Sequence, residues 1–179
     1  MAINELMDTP GLIIDLRGNG GGYPSVTDGL FGRLVKKEVE PFRLIERNGE
    51  TFRELRVRPR GKIYEGPLVV LVDGRTYSAS NYFAHRTLYH QRGVLIGHRT
   101  GGGAASPQRG VTLVPGVWFQ VSTHVLMPPA GPHSESGLEP TVKLEGEEAK
   151  SGAADERLMG LSAHPDPAVR RAIRYLNGQ

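Results

Sequence analysis

Cysteine is absent from the 179 residues, which excludes a disulfide framework, a thiolate zinc site and a cysteine nucleophile together. No apolar run approaches the ~18 residues that a bilayer span requires, so no membrane span is expected. Residues 1–10, MAINELMDTP, carry neither a basic n-region nor an apolar h-region. On that ground no signal peptide is expected, and the chain reads as cytoplasmic as it stands. Concentrated positive charge is also missing. Lys and Arg number 22 against 19 Asp and Glu, for a net charge of +3. The densest stretch, Arg53–Lys62 (RELRVRPRGK), alternates like an exposed strand and loop, so no nucleic-acid partner is expected. No G-x-x-x-x-G-K-[ST] phosphate loop occurs, and Gly18–Gly22 lacks the full G-x-G-x-x-G spacing of a dinucleotide fingerprint. Neither metal nor cofactor is expected. Internal repeats and low-complexity tracts are lacking too.

What the chain has in excess is glycine, with 24 residues, about twice the usual ~7% share. Without a collagen-like period, these glycines mark local turns and close approaches of backbone to backbone or ligand. Gly11–Leu16 reads as a buried strand running into the cluster Arg17–Gly22. Ser25 with Asp28 three residues on reads as the start of a helix whose apolar face includes Val26, Leu30 and Leu34. Phe42–Arg47 and Thr51–Val57 flank Asn48-Gly49 as a hairpin. Leu68–Val72 and Val94–Gly97 read as buried strands, separated by a helix from about Ser78 to His90. A second glycine cluster, Gly101–Gly103, follows at once. Val111–Val114 and Val117–Ser122 form another hairpin around Pro115-Gly116, with Trp118 and Phe119 expected in the core or in a pocket wall. Thr141–Leu144 reads as a short strand. Pro167 opens a helix with Val169, Ala172, Ile173 and Leu176 on one face. Strand–helix–strand units with attached hairpins give an α/β domain whose sheet is covered on both faces.

Ser78 opens the helix between the two glycine clusters, where free N–H groups and the positive dipole end gather. A nucleophile there would have oxyanion donors beside it: the N–H of Ala79, and the backbone of Gly20, Gly21 and Gly22. The same residue type at a helix start is ordinarily a cap, and Ser80 competes on the same segment. The residues alone leave that choice open. Asp15 reads as structural, paired with the glycine loop or with Arg17.

Several ordered motifs resemble peptidase family S41, which holds the carboxy-terminal processing proteases, the tricorn core protease and the interphotoreceptor retinoid-binding modules. They are GLIIDLRGNGGG (Gly11–Gly22), GPLVVLVD (Gly66–Asp73), YSASN (Tyr77–Asn81), IGHRTGGG (Ile96–Gly103), LVPG (Leu113–Gly116), SGLEP (Ser136–Pro140) and the closing Asp166–Ile173. Together they span about residues 11–176. The resemblance implies a ClpP/crotonase-like α/β fold. It implies a short lead over 1–10 as in a truncated chain, a catalytic core over 11–144, a mobile polar segment over 145–164 and a closing helix over 165–179. It places Ser78 on the nucleophile, Ala79 on one oxyanion donor and Gly20–Gly22 on the loop supplying the other. Asn81 stands where many members carry glutamate, and Thr141 where an aspartate usually stands.

The general base departs from the family pattern. Processing proteases resembling this chain carry a lysine in the element that reads Thr100-Gly101-Gly102-Gly103 here, so Gly103 holds the lysine position. Lys36, Lys37, Lys62, Lys143 and Lys150 all lie elsewhere. In the tricorn-like branch, to which the pattern is closer, a histidine is the base and a late-loop glutamate assists; Glu135 is the match for that glutamate. His98, after the third buried strand, and His85, two helical turns beyond Ser78, are the substitute bases. His90, His124, His133 and His164 read as ordinary surface or loop positions. The expected function is a serine hydrolase cleaving peptide bonds through a Ser78 acyl-enzyme. An esterase on the same site is one alternative. Another is an inactive module binding a peptide or an apolar ligand. The partner is a peptide or protein substrate, with a homo-oligomer as one way to complete the site. The resemblance also leaves localisation open, because family members are often exported.

Overall fold

The computed structural model describes residues 2–104, 106–145 and 164–178. The expected polar segment 145–164 therefore lies almost wholly outside the described residues. Four strands make a parallel sheet in the order β1-β4-β5-β9: β1 Leu12–Asp15, β4 Leu68–Val72, β5 Val94–Gly97 and β9 Val142–Lys143. Register runs Leu12 opposite Leu68 and Val69 opposite Val94, so the two glycine clusters leave the same end of the two strands, β1 and β5, that flank β4. β4 is fully buried because both of its faces are covered. Its side chains alternate. Val69 and Leu71 face helix α3 (Pro167–Leu176) through Ala168 and Ala172. Leu68, Val70 and Val72 face the other layer, which holds α1 (Pro24–Phe31) and α2 (Ala79–Tyr89) through Phe31, Phe83 and Ala84.

A second sheet, order β3-β2-β8, closes over α2 from the far side, with β2 Val39–Ile45, β3 Thr51–Val57 and β8 Val125–Met127. Phe42, Leu44 and Leu126 of that sheet pack on Tyr82 and Ala104. α2 is thus enclosed on all sides, and its residues from Ala79 to Thr87 are all buried. Such a helix shows no amphipathic stripe, and its polar side chains must bond internally. Arg86 is fully buried: it reaches the Leu55 carbonyl at 2.5 Å, the Tyr82 hydroxyl, and Asp28 of α1 at 3.5 Å. Its guanidinium also lies over the Phe42 and Tyr82 rings, 4.8 and 4.6 Å from their centroids.

Three expectations need correction. α1 begins at Pro24 with Tyr23 as cap residue, and Ser25 caps nothing; proline at the first helical position, with φ already set, defines the start. Trp118 and Phe119 sit on the hairpin β6 (Gln108–Val114) and β7 (Val117–Ser122), which pairs only with itself among the described residues. They are 62% and 41% exposed, not core. His90, expected at the surface, packs on Phe31, Phe42 and Tyr89. Asp15 is structural as read, held by Arg17 at 2.6 Å; the same guanidinium reaches Asp166, the cap residue of α3, at 2.7 Å.

Candidate active site

Ser78 precedes α2 with φ 56° and ψ −120°. A non-glycine residue reaches that region only when its surroundings impose it, at a cost of about 1–3 kcal/mol. The surroundings here are the two glycine loops. From the first, the Asn19 carbonyl accepts the Tyr77 N–H at 3.1 Å. From the second, the Gly102 carbonyl accepts the Ser78 N–H at 3.0 Å. Asp73 and Thr76 tie the loops further: Asp73 accepts from the N–H of Gly18 at 3.1 Å, and the Thr76 hydroxyl donates to the Leu16 carbonyl at 2.9 Å. The Ser78 side chain makes no capping bond and is partly exposed. The serine is thus bent out of helical geometry, and its hydroxyl is not used as a cap.

Gly21 presses directly on this serine. A Cβ at position 21 would lie 2.7 Å from Ser78 Cβ and 2.9 Å from the Ala79 nitrogen, while Gly20 and Gly22 face open space. The Gly21 N–H donates to Asn19 Oδ1 at 2.9 Å. That bond shapes the loop and leaves the N–H groups of Gly20 and Gly22 without an acceptor among the described residues, as is that of Ala79. No acidic side chain occupies the first turn of α2, so the positive end of its dipole is uncompensated there. Beside Ala79 and Gly21 opens a cavity of about 330 Å³, walled by Leu16, Val26, Leu30 and Phe83.

Asn81 ties the start of α2 to the second glycine loop. It is fully buried, and its amide nitrogen donates to the carbonyls of Gly103 and of Ser134, the latter at 3.0 Å. Its Oδ1 accepts from the Thr100 hydroxyl at 2.6 Å. Thr100 in turn accepts the Leu138 N–H at 2.7 Å. One amide thus joins the first turn of α2, the Gly101–Gly103 strap and the late loop bearing Glu135. Sequence reading saw only a departure from glutamate here, because a network of long-range bonds leaves no local signature.

The proposed assistants are less closely gathered. The Glu135 carbonyl accepts the Gly103 N–H at 3.0 Å, so its backbone abuts the strap. Its carboxylate instead accepts from the Ser106 hydroxyl at 3.1 Å and lines a separate cleft with Glu46, Ser122 and His124. His85 is buried against Phe42, its Nδ1 without a partner among the described residues. Burial, aided by Arg86, His90 and His133, lowers its pKa to about 4, which makes it a poor base at neutral pH. His98 is exposed after β5, its N–H bonded to the Val72 carbonyl at 3.0 Å. Among the described residues, neither histidine forms a hydrogen bond with Ser78. Lys36, Lys62 and Lys143 pair with Glu65, Asp8 and Glu139 at the surface.

With the strand–glycine loop, the bent serine and the second strap in this order, comparison with known proteins becomes decisive. The sequence profile of peptidase family S41 matches residues 1–144. The chain belongs to peptidase family S41. It is 28% identical over 142 residues to the carboxy-terminal processing protease CtpB of Bacillus subtilis, covering 79% of this chain and 29% of that protein. Among solved structures it is similar to a photosystem II D1 C-terminal processing protease, at 29% identity and a TM-score of 0.68, over 82% of this chain and 38% of that one. Two others share the fold at lower identity. Mature CPAF complexed with lactacystin matches with a TM-score of 0.72 and 14% identity, over 99% of this chain and 47% of that one. A protein of Parabacteroides merdae matches with a TM-score of 0.75 and 21% identity, over 97% of this chain and 54% of that one. The chain therefore spans less than a third of the curated S41 relative and about half or less of these solved chains. No described helix is long and apolar enough to cross a membrane.

Proposed function

We propose that this S41 domain is a serine-type peptidase core in which Ser78 attacks a peptide carbonyl to form an acyl-enzyme. The single observation that carries this reading is the backbone of Ser78, bent at φ 56° ahead of a buried helix, with the N–H of Ala79 beside it unbonded among the described residues. The developing oxyanion would be held by Ala79 N–H and by the N–H groups of the Gly20–Gly22 loop, with Gly21 bringing that loop against the serine. The 330 Å³ cavity next to Ala79 accepts an apolar side chain of the acyl portion, since Leu16, Val26, Leu30 and Phe83 supply its walls. Glu135 would act from the far side of the strap on a base that approaches Ser78 over its exposed face.

A second reading is favoured by one specific finding: His85 is buried with its pKa lowered to about 4, and it makes no hydrogen bond to Ser78 among the described residues. On that reading the same cleft binds an apolar peptide tail without turnover. A fluorophosphonate probe with a Ser78→Ala control separates the two. Labelling that disappears with the substitution supports the nucleophile. Unlabelled, folded wild type that still binds apolar peptides supports the binding module. Ester turnover without peptide cleavage would restrict the activity to esters.

A further inference from the structure

The cavity beside Ala79 opens between α1 and the start of α2, and its walls are chemically uneven. Tyr23, Val26, Leu30 and Phe83 give it an apolar lining, and no charged residue takes part among the described ones. A charged side chain entering it would give up its water and find no counter-ion. The 330 Å³ of space hold about ten waters at ~30 Å³ each. Intermediate and large side chains therefore both fit, and size alone selects weakly. Selection falls to the polar side chains in the wall, which are Asn19, Thr27 and Ser80.

Two of these are already engaged. Asn19 Oδ1 accepts the Gly21 N–H, and the Thr27 hydroxyl donates to the Ala79 carbonyl at 3.3 Å. Ser80 differs. It is only 6% exposed, and its N–H is spent on the Tyr77 carbonyl at 3.1 Å. Its hydroxyl makes no hydrogen bond among the described residues. Buried hydroxyls are ordinarily bonded, and a serine in a helix commonly turns back to a carbonyl of the preceding turn. Nor is this hydroxyl sealed within the packing, as the unpartnered Nδ1 of His85 and Nε2 of His90 are among the described residues. It therefore faces open space, and the space that Ser80 lines is the cavity.

We propose that Ser80 is a specificity-determining residue whose hydroxyl bonds the neutral polar tip of an otherwise apolar side chain seated in this cavity, such as that of glutamine or tyrosine. A purely aliphatic or phenyl side chain fills the same walls but covers the hydroxyl without a bond, and a covered, unbonded hydroxyl is costly. A site with one buried polar group rejects the isostere lacking the matching group more strongly than it rejects a missing methylene. As a choice of residue on the acyl side of the scissile bond, this rests on the Ser78 reading above. As a binding preference it rests on the cavity alone.

The test is binding of short N-acetylated peptides that differ only in their last residue, paired by shape as glutamine with norleucine and tyrosine with phenylalanine. Isothermal titration calorimetry compares the wild type with Ser80→Ala, both shown to be folded by thermal melting. In the wild type the glutamine and tyrosine peptides are expected to bind on the order of tenfold tighter than their partners. In Ser80→Ala that preference should vanish, with the norleucine and phenylalanine peptides binding at least as well as before. Equal affinities within each pair in the wild type, a preference that survives Ser80→Ala, or no saturable binding of any peptide overturns the proposal. Fluorophosphonate labelling run alongside separates this outcome from the reading it deepens. Labelling of Ser78 without any preference within the pairs refutes the role of Ser80 alone. A preference lost in Ser80→Ala, in a protein that never labels, refutes the Ser78 nucleophile and leaves the role of Ser80 supported.

Discussion

Replacing Asn81 by alanine should damage both stability and the site, by an amount that follows from its bonds. The side chain is fully buried and serves the Gly103 carbonyl, the Ser134 carbonyl and the Thr100 hydroxyl. Removing it strands these groups where water has little access, at about 1–3 kcal/mol for each that finds no new partner. The cavity left behind adds to the loss. Partial relaxation brings the expected total to about 3–5 kcal/mol, a large share of the ~5–15 kcal/mol that holds a domain of this kind. Urea unfolding followed by circular dichroism measures it directly, and the melting temperature should fall on the order of 10 °C. Because the Gly103 carbonyl and the Glu135 loop lose their common tie, fluorophosphonate labelling of Ser78 should slow even where the variant is folded. A loss below about 1 kcal/mol with an unchanged labelling rate would refute the argument, since the network would then hold neither the fold nor the cleft.

Other expected outcomes follow from the same geometry. His85 and His90 both have pKa values lowered to about 4, by burial first and by Arg86 next. The unfolded chain binds their protons more readily, so their stabilising contribution is full above pH ~6.5 and is lost as pH falls toward 4, the half-buried His90 contributing less because solvent screens it. His85→Leu should flatten that part of a stability–pH curve; an unchanged slope contradicts the assignment. Gly21→Ala adds a Cβ 2.7 Å from Ser78 Cβ at φ +105°. It should destabilise the fold by about 2 kcal/mol and abolish labelling; normal labelling by the variant counts against the close approach of that loop. Asp166→Ala removes the cap acceptor of Ala168 N–H at 2.8 Å and one partner of Arg17. It should cost about 2 kcal/mol, read by urea unfolding, and a loss under half of that contradicts the docking role given to this carboxylate.

The parts of the fold that were legible in the sequence are those dictated by local pattern. β4 and β5 fall where LVVLV and VLIG do, because uninterrupted apolar runs bounded by glycine, proline or aspartate fit a doubly covered strand. The hairpin around Asn48-Gly49 follows from its turn chemistry. β8 escaped notice since it has only three residues and owes its existence to pairing with β2 far back in the chain. Trp118 and Phe119 misled because alternation announces a strand with one apolar face without saying what covers it. In the site, Ser78, Ala79 and the glycine loops were visible as an ordered motif. The role of Asn81 was not, since it arises from contacts with Thr100, Gly103 and Ser134, 19 to 53 positions away.

The most direct test of the central claim is peptide mapping by mass spectrometry after reaction with a fluorophosphonate. The account predicts a single phosphonyl adduct on the peptide containing Ser78, formed near stoichiometrically and absent from Ser78→Ala. An adduct on Ser80 or elsewhere, or none on a protein shown to be folded, would contradict it.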